Sequence, residues 1–224
     1  MEFNTIQAIN NNYLLLSRAE DVHVSMLARQ LMDVDFECTG CGECCRSHLG
    51  DNSVIVFPDE IQLIMETKKI GWYEICRPSA PQFIDSSGTF HSFEWELVKH
   101  SSGACKFLQE NSTCSIYDWR PWICRTYPFY LVFEDDQRNP LLNISECEGV
   151  GAGSFSKGSA IEMAKLLKER IISEIKEEIQ LLEQINGYDD WVLVRNNSIE
   201  NLVKPDVAVH DSRGLTLVSG HNKW

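Results

Sequence analysis

Between Gly158 and Gln184 the apolar residues Ile161, Ala164, Leu167, Ile171, Ile175, Ile179 and Leu182 fall on one stripe, and Lys and Glu occupy the opposite face. That 3.6-residue period predicts a long amphipathic helix whose role is packing. Ser17 to Asp33 carries a shorter version, with Val22, Met26, Leu27 and Leu31 on one side and Glu20 and Asp21 early, and predicts a helix leading into the first cysteine loop. Ser53 to Phe57 is a short β-branched run. Pro58, Asp59 and Glu60 then open a helix to about Lys68, because proline suits the first helical turn and carboxylates suit its N-terminal dipole. In Gln82 to Lys99, Asp85-Ser-Ser-Gly88 separates a short apolar run from an alternating one, Phe90, Ser92, Glu94 and Glu96 against His91, Phe93, Trp95 and Leu97, which predicts a hairpin. A second hairpin is predicted from Tyr127 to Phe133 and Leu141 to Ser145 around the polar turn Glu134 to Asn139. In the tail, Trp191 to Val194 and Val207 to Val218 around Asp211-Ser-Arg-Gly214 read as strands pairing back onto the domain.

The cysteines change this picture from a generic scaffold to a metal protein. Eight of the nine form two groups, Cys38-x2-Cys41-x2-Cys44-Cys45 and Cys105-x8-Cys114-x9-Cys124 followed by Cys147. Two-residue gaps let several thiolates from one tight loop converge on one ion or cluster. Gly40 and Gly42 remove side-chain bulk beside Cys41, so the backbone can wrap a metal centre. The adjacent Cys44 and Cys45 point apart in ordinary backbone, so Cys45 is read as facing a different centre or none. Nine cysteines in 224 residues is too sparse for a small disulfide scaffold, and an odd total leaves one thiol unpaired. Cys76, outside both groups, reads as a small buried apolar residue.

Charge and hydropathy then exclude several classes. A net charge of −13 argues against a broad nucleic-acid surface, which needs a basic face to displace counterions. The longest apolar runs, such as Tyr130 to Phe133, are far too short to span a bilayer, and Met1 to Asn12 lacks the pattern of a secretory signal; a reducing cytoplasm is the expected compartment, with no membrane partner. Arg46, Arg77, Arg120 and Arg125 each lie within a few residues of a cysteine, where guanidinium groups offset thiolate charge or simply pair at the surface. His48, His91, His100 and His210 are read as satisfied residues rather than ligands. Asp35, Glu37 and Glu43 show no spacing that selects a general base. Gly149-Val-Gly151-Ala-Gly153, between a strand and a helix, has the composition of either a connector or a nest of backbone N–H groups suited to a carboxylate or phosphate. No βαβ unit surrounds it, which excludes a Rossmann domain.

The Cys38 to Cys45 run, Cys105-Lys-Phe-Leu, Cys114-Ser-Ile-Tyr-Asp-Trp-Arg120-Pro-Trp-Ile-Cys124-Arg-Thr-Tyr-Pro-Phe129 and Cys147-Glu-Gly-Val-Gly-Ala-Gly153 together resemble the YkgJ-type cysteine-cluster family, described as a zinc- or iron-chelating domain. The resemblance covers about residues 38 to 153. The chain departs from the family pattern at Glu148, where proline is expected. The resemblance implies metal ligation by Cys38, Cys41, Cys44, Cys45, Cys105, Cys114, Cys124 and Cys147. The cluster is more distantly similar to that of the flagellin lysine-N-methylases, which implies S-adenosylmethionine used with an iron–sulfur centre; what this chain offers such an enzyme is the glycine nest of Gly149, Gly151 and Gly153, with Tyr117 or Tyr127 as a reactive group.

The expected fold is α+β, one domain over residues 1–224. A small metal-stabilised core of short antiparallel strands and helices covers about 33–153, and a long helix and strands follow over 154–224. The x2, x2 spacing favours one or two iron–sulfur (4Fe-4S) centres over zinc. The alternatives are a zinc-binding structural protein, a chelating or delivery protein, and a metal-dependent methyltransferase. Metal ions are the first partners, and a protein substrate or redox partner follows from the enzyme and electron-transfer readings.

Overall fold

A computed structural model of the chain describes residues 5–46, 53–134, 139–185, 192–193 and 206–219. The helices are α1 (Thr5–Glu20), α2 (Val24–Met32), α3 (Pro58–Lys68), α4 (Trp72–Ile75), α5 (Trp122–Thr126) and α6 (Lys157–Gln184). The strands are β1 (Ile55–Val56), β2 (Cys76–Pro78), β3 (Phe83–Ile84), β4 (Phe90–Ser92), β5 (Trp95–Leu97), β6 (Phe129–Val132), β7 (Leu141–Ile144), β8 (Val192–Leu193), β9 (Val207–Asp211) and β10 (Gly214–Val218). The class is α+β with a long C-terminal helix, as expected. The chain divides into two compact units, one of Met1–Asn10, Ile55–Val98 and Glu177–Trp224, the other of Asn11–Val54 and Lys99–Lys176. Residues 55–98, inside the expected cysteine core, therefore belong to the first unit, and the cysteine-bearing unit is discontinuous in sequence.

The first unit is built on two sheets, β1-β5-β2 and β10-β9-β4-β3-β8. Asp85 organises the predicted turn: its carboxylate accepts the Ser87 and Thr89 amides at 2.9 and 3.0 Å, and Gly88 supplies a φ of +86°. Strands β3 and β4 pair antiparallel around it, with Phe83 opposite His91. The alternating pattern after Phe93 does not continue that hairpin. Trp95, Glu96 and Leu97 are all buried, and their strand joins β1 and β2 instead. Burial explains the switch: the Trp95 indole N–H donates to the buried Asp211 carboxylate at 2.8 Å, and the Arg213 guanidinium bonds the same oxygen at 3.0 Å while lying 4.1 Å over the Trp72 ring. Strand β9 pairs antiparallel with β10, as read from the tail, and parallel with β4, Phe90 opposite Val207. Trp191 and Val194, and most of the turn expected over 134–139, lie outside the described residues.

The second unit packs α2, the β6–β7 hairpin and the first part of α6 around Leu27, Leu31, Phe36, Phe129, Ala160, Ala164 and Leu167. Phe36, Phe129 and Phe155 lie ring against ring, the first pair edge-on at 5.0 Å. Ser156 caps α6, its hydroxyl accepting the Ser159 amide at 3.1 Å. The helix expected over Ser17 to Asp33 is instead broken between Glu20 and Val24. The Lys168 ammonium donates to the carbonyls of Glu20 and Val22 at 2.7 and 2.9 Å, satisfying acceptors that a continuous helix would have used internally.

A polar chain crosses the five-stranded sheet. His91 Nε2 lies 3.1 Å from Asp85 Oδ2, and its Nδ1 lies 3.0 Å from His210 Nε2. With the carboxylate accepting from Nε2–H, Nδ1 is left to accept the His210 Nε2–H. Burial first, and then the neighbouring His91, depress the His210 imidazole to about 4 from an ordinary 6.5. A base whose folded value is lowered stabilises the fold above its unfolded value, and that contribution is lost as pH falls from 6.5 to about 4. Asp85, held at about 2 chiefly by the Ser87 hydroxyl, titrates below that window. Stability to urea is expected to fall across the window, and His210→Phe to flatten the fall by about 1–2 kcal/mol after allowance for solvent screening. Parallel pH–stability profiles for wild type and variant would show that His210 is not the group responsible.

Candidate metal centre

All eight motif cysteines lie in the second unit, and none of the nine cysteines is in a disulfide. Cys38 and Cys44 are exposed, Cys41, Cys45, Cys114, Cys124 and Cys147 half-buried, and Cys105 buried. The first segment turns tightly. Gly40 and Gly42 adopt φ of +68° and +76°, and a 3-10 turn over Glu43–Cys45 follows. A Cβ on Gly42 would press at 3.1–3.2 Å on the Arg46 guanidinium, the Ser112 carbonyl and Leu108. The glycine spacing that reads as room for a metal loop is therefore also a close approach between the first and second cysteine segments.

Arg46 fastens that approach. Its Nη1 donates to the Cys41 carbonyl and to Glu43 Oε1, and its Nη2 to Ser112 Oγ, all at 2.8 Å. The Cys105 amide donates to the Cys45 carbonyl at 2.8 Å, and antiparallel bridges Lys99 to Cys105 and Leu108 to Cys114 fold the second segment back on itself. Cys124 sits on α5, flanked by Arg120 and Arg125, whose guanidinium groups lie over Tyr117 and Trp122 at 3.6 and 4.3 Å. Cys147 arrives through another pairing. Phe36 bridges Val150, the Glu37 amide donates to the Gly149 carbonyl at 3.0 Å, and the Gly151 amide to the Asp35 carbonyl at 2.7 Å.

The thiols share an electrostatic field. A weak hydrogen bond between the Cys44 and Cys45 sulfurs, 4.0 Å apart, draws the Cys44 thiol down to about 7, helped by Arg120, and the same hydrogen bond with burial pushes Cys45 up. Burial raises Cys105, with the nearby Cys114 and Cys44 adding to it. Burial also raises Cys147, opposed by the Gly149 amide donating to its sulfur at 3.4 Å and reinforced by Cys41, Cys38 and Cys44. Tyr127, raised by burial and then by Cys147, Cys44 and Cys41, lies beside the same sulfurs and donates its hydroxyl to the Glu146 carbonyl. Tyr117 stacks with Arg120 and is exposed. An open recess of about 460 Å³ beside Cys147 is lined by Ile144, Ser145, Glu146 and Val150.

The Gly149 to Gly153 run has a packing explanation. A Cβ on Gly149 would lie 2.5 Å from the Glu37 carbonyl oxygen, and one on Gly153 would lie 2.5 Å from Glu37 Oε2. Gly151 has a φ of +86° and open space around it. The amides of Gly149, Val150, Gly151 and Ala152 donate to Cys147 Sγ, Cys147 O, Asp35 O and Gly149 O. These glycines thus let the segment lie against residues 35–37, and that contact delivers Cys147 to the Cys38 end of the first loop.

Other residues singled out in the sequence fall elsewhere. Cys76 is fully buried in the first unit beside the Trp72 carbonyl, as its apolar reading anticipates. His91 and His210 are engaged with Asp85 in that unit, and His48 lies outside the described residues. The Arg46 link to Ser112 was not legible in the sequence, where Arg46 carries only the signal of proximity to cysteine.

Among the described residues, no three His, Cys, Asp or Glu side chains close around a single ion-sized point. The donor set nonetheless fits a thiolate-bound metal. Eight thiols lie within one unit, backbone bonds tie the Cys105 and Cys147 segments to the first loop, cations lie beside them, and an amide points at one sulfur. Among the described residues no helix is long and apolar enough to cross a membrane. No curated protein and no solved structure matches the chain significantly. Residues 37–148, half of the 224 and inclusive of every thiol described above, match the model of the CxxCxxCC family, "Putative zinc- or iron-chelating domain", and the chain belongs to that family.

Proposed function

We propose that the cysteine-bearing unit is an iron–sulfur module in which thiolates of Cys38, Cys41, Cys44, Cys45, Cys105, Cys114, Cys124 and Cys147 supply the ligands. The observation that carries this reading is that backbone bonds at Cys45–Cys105 and at residues 35–37 with 149–151 bring cysteine segments up to more than a hundred residues apart in sequence against the first thiol loop. An N–H donor on Cys147 sulfur and the Arg120 guanidinium beside Cys44 supply the polar environment that tunes a negatively charged cluster. When bound, an iron–sulfur centre supplies one-electron chemistry or a rigid structural cross-link. The chain's own part is to hold the thiolates close and offset their repulsion with guanidinium groups.

Anaerobic preparation is expected to give a coloured protein containing iron and acid-labile sulfide. Stoichiometric zinc in a colourless, sulfide-free protein would replace the iron–sulfur reading with the zinc one. Cys41→Ser and Cys124→Ser should each lower metal content and urea stability together, since thiolate–metal bonds form in the folded state. Cys76→Ser should leave metal content unchanged, and equal loss in all three would show that the thiols have been divided wrongly.

Arg46→Met removes the link from Cys41 and Glu43 to Ser112. Metal retention against a competing chelator is expected to drop roughly tenfold, the lower end of the effect of removing a group that orients ligands. Arg46→Lys should recover only part of it, because an ammonium cannot span both partners in the planar fork geometry. Retention at the wild-type level in Arg46→Met would reduce Arg46 to surface pairing.

A further inference from the structure

Order along the chain alone would put Cys38, Cys41, Cys44 and Cys45 in one set and the last four thiols in another, although the adjacency of Cys44 and Cys45 already sets Cys45 apart. The backbone sorts them differently. The Phe36 to Val150 bridge and the bonds Glu37 N–H to Gly149 O and Gly151 N–H to Asp35 O lay the Cys147 segment along the residues immediately before Cys38. Cys147 accordingly stands within electrostatic reach of Cys38, Cys41 and Cys44. At the other end of the loop, the carbonyl of Cys45 accepts the Cys105 amide, and Cys45 stands within reach of Cys105 and Cys124, with Cys44, at the boundary, within reach of Cys45 and Cys105 as well. Cys105 is in turn tied to Cys114 by the fold-back through Leu108 and by the Ser115 amide donating to the Phe107 carbonyl at 2.8 Å.

Resting on the reading that these thiols hold metal, we propose that they form two crossed sets: Cys38, Cys41, Cys44 and Cys147 hold one zinc ion or iron–sulfur cluster, and Cys45, Cys105, Cys114 and Cys124 hold a second. The boundary runs through the Cys44–Cys45 peptide. In a 3-10 turn successive side chains are rotated by about 120°, so adjacent cysteines address different sides of the turn. Four thiolates complete a tetrahedral zinc shell or the ligation of one cubane cluster, so eight divide naturally by four. The two sulfurs at the boundary are 4.0 Å apart, so the partition requires them to turn to opposite sides when metal is bound. Arg46, next after the turn and bonded to both Cys41 and Ser112, holds its orientation between the sets.

Pairwise cysteine removal reads the partition directly. Wild-type protein, titrated anaerobically with Co²⁺ as a spectroscopic probe of thiolate ligation, should bind two equivalents. Cys45→Ser with Cys114→Ser should retain one, Cys41→Ser with Cys147→Ser should retain one, and Cys41→Ser with Cys45→Ser should retain none. One equivalent retained by the last pair, with none left in the first, establishes the sequential grouping and overturns the crossed one. A single equivalent in the wild type also overturns the partition while leaving metal binding intact, and no cobalt binding at all overturns both. A second measurement needs no variant that must fold. Wild type from which a chelator has removed one equivalent is alkylated with iodoacetamide and mapped by mass spectrometry. Cys45 labelled together with Cys105, Cys114 and Cys124, or protected together with them, supports the crossed sets. Cys45 moving with Cys38, Cys41 and Cys44 refutes them.

Discussion

The bond from the Cys105 amide to the Cys45 carbonyl is the constraint on which the cysteine-bearing unit turns. It joins two segments sixty residues apart at the point where each carries thiols. Gly42 can make that approach because it has no Cβ and adopts a left-handed φ, and Arg46 then spans the junction with three hydrogen bonds. Gathering several potential thiolates in a chain of net charge −13 is electrostatically unfavourable unless cations accompany them. Arg46 bonds to the Cys41 carbonyl in the first loop, and Arg120 stands within electrostatic reach of Cys44.

The first unit shows the same logic with different chemistry. Its buried polar groups are each matched: the Trp95 indole with Asp211, Asp211 with Arg213, His91 with Asp85 and His210. A buried carboxylate such as Asp211 persists because an indole and a guanidinium satisfy it. Cys76 behaves there as a small apolar side chain whose thiol is pushed up by burial, in contrast with Cys44, drawn down by its bond with Cys45.

Local signals were legible wherever the deciding interaction lies within a few residues. Pro58 with Glu60, whose side chain accepts the Phe57 amide at 2.9 Å, starts α3 where expected, and Asp85 with Gly88 closes the β3–β4 turn. The stripe from Ile161 to Leu182 became α6, although Ala160 is buried while Ile161 and Ile171 pack only at the margin of the core. The same local reading fails at β5, because the alternation after Phe93 does not contain the information that Trp95 must reach Asp211. It also fails at the break before α2, because the lysine that satisfies the freed carbonyls is Lys168.

For the site, the amino-acid sequence by itself determined which side chains are available: eight grouped thiols, the turn-forming glycines between them and the arginines nearby. Spacing within one loop is a local property, so Cys38, Cys41 and Cys44 declare themselves as a set. The tertiary structure alone decided that the Cys147 segment lies against residues 35–37, that the Cys45 carbonyl accepts the Cys105 amide, and that Arg46 binds Ser112. It also decided that Gly149 and Gly153 answer to the backbone and carboxylate of Glu37. Each of these pairings joins positions between about sixty and one hundred and fifteen residues apart. Nothing in a local run of residues records which distant carbonyl will accept an amide once hydrophobic packing has brought the segments together.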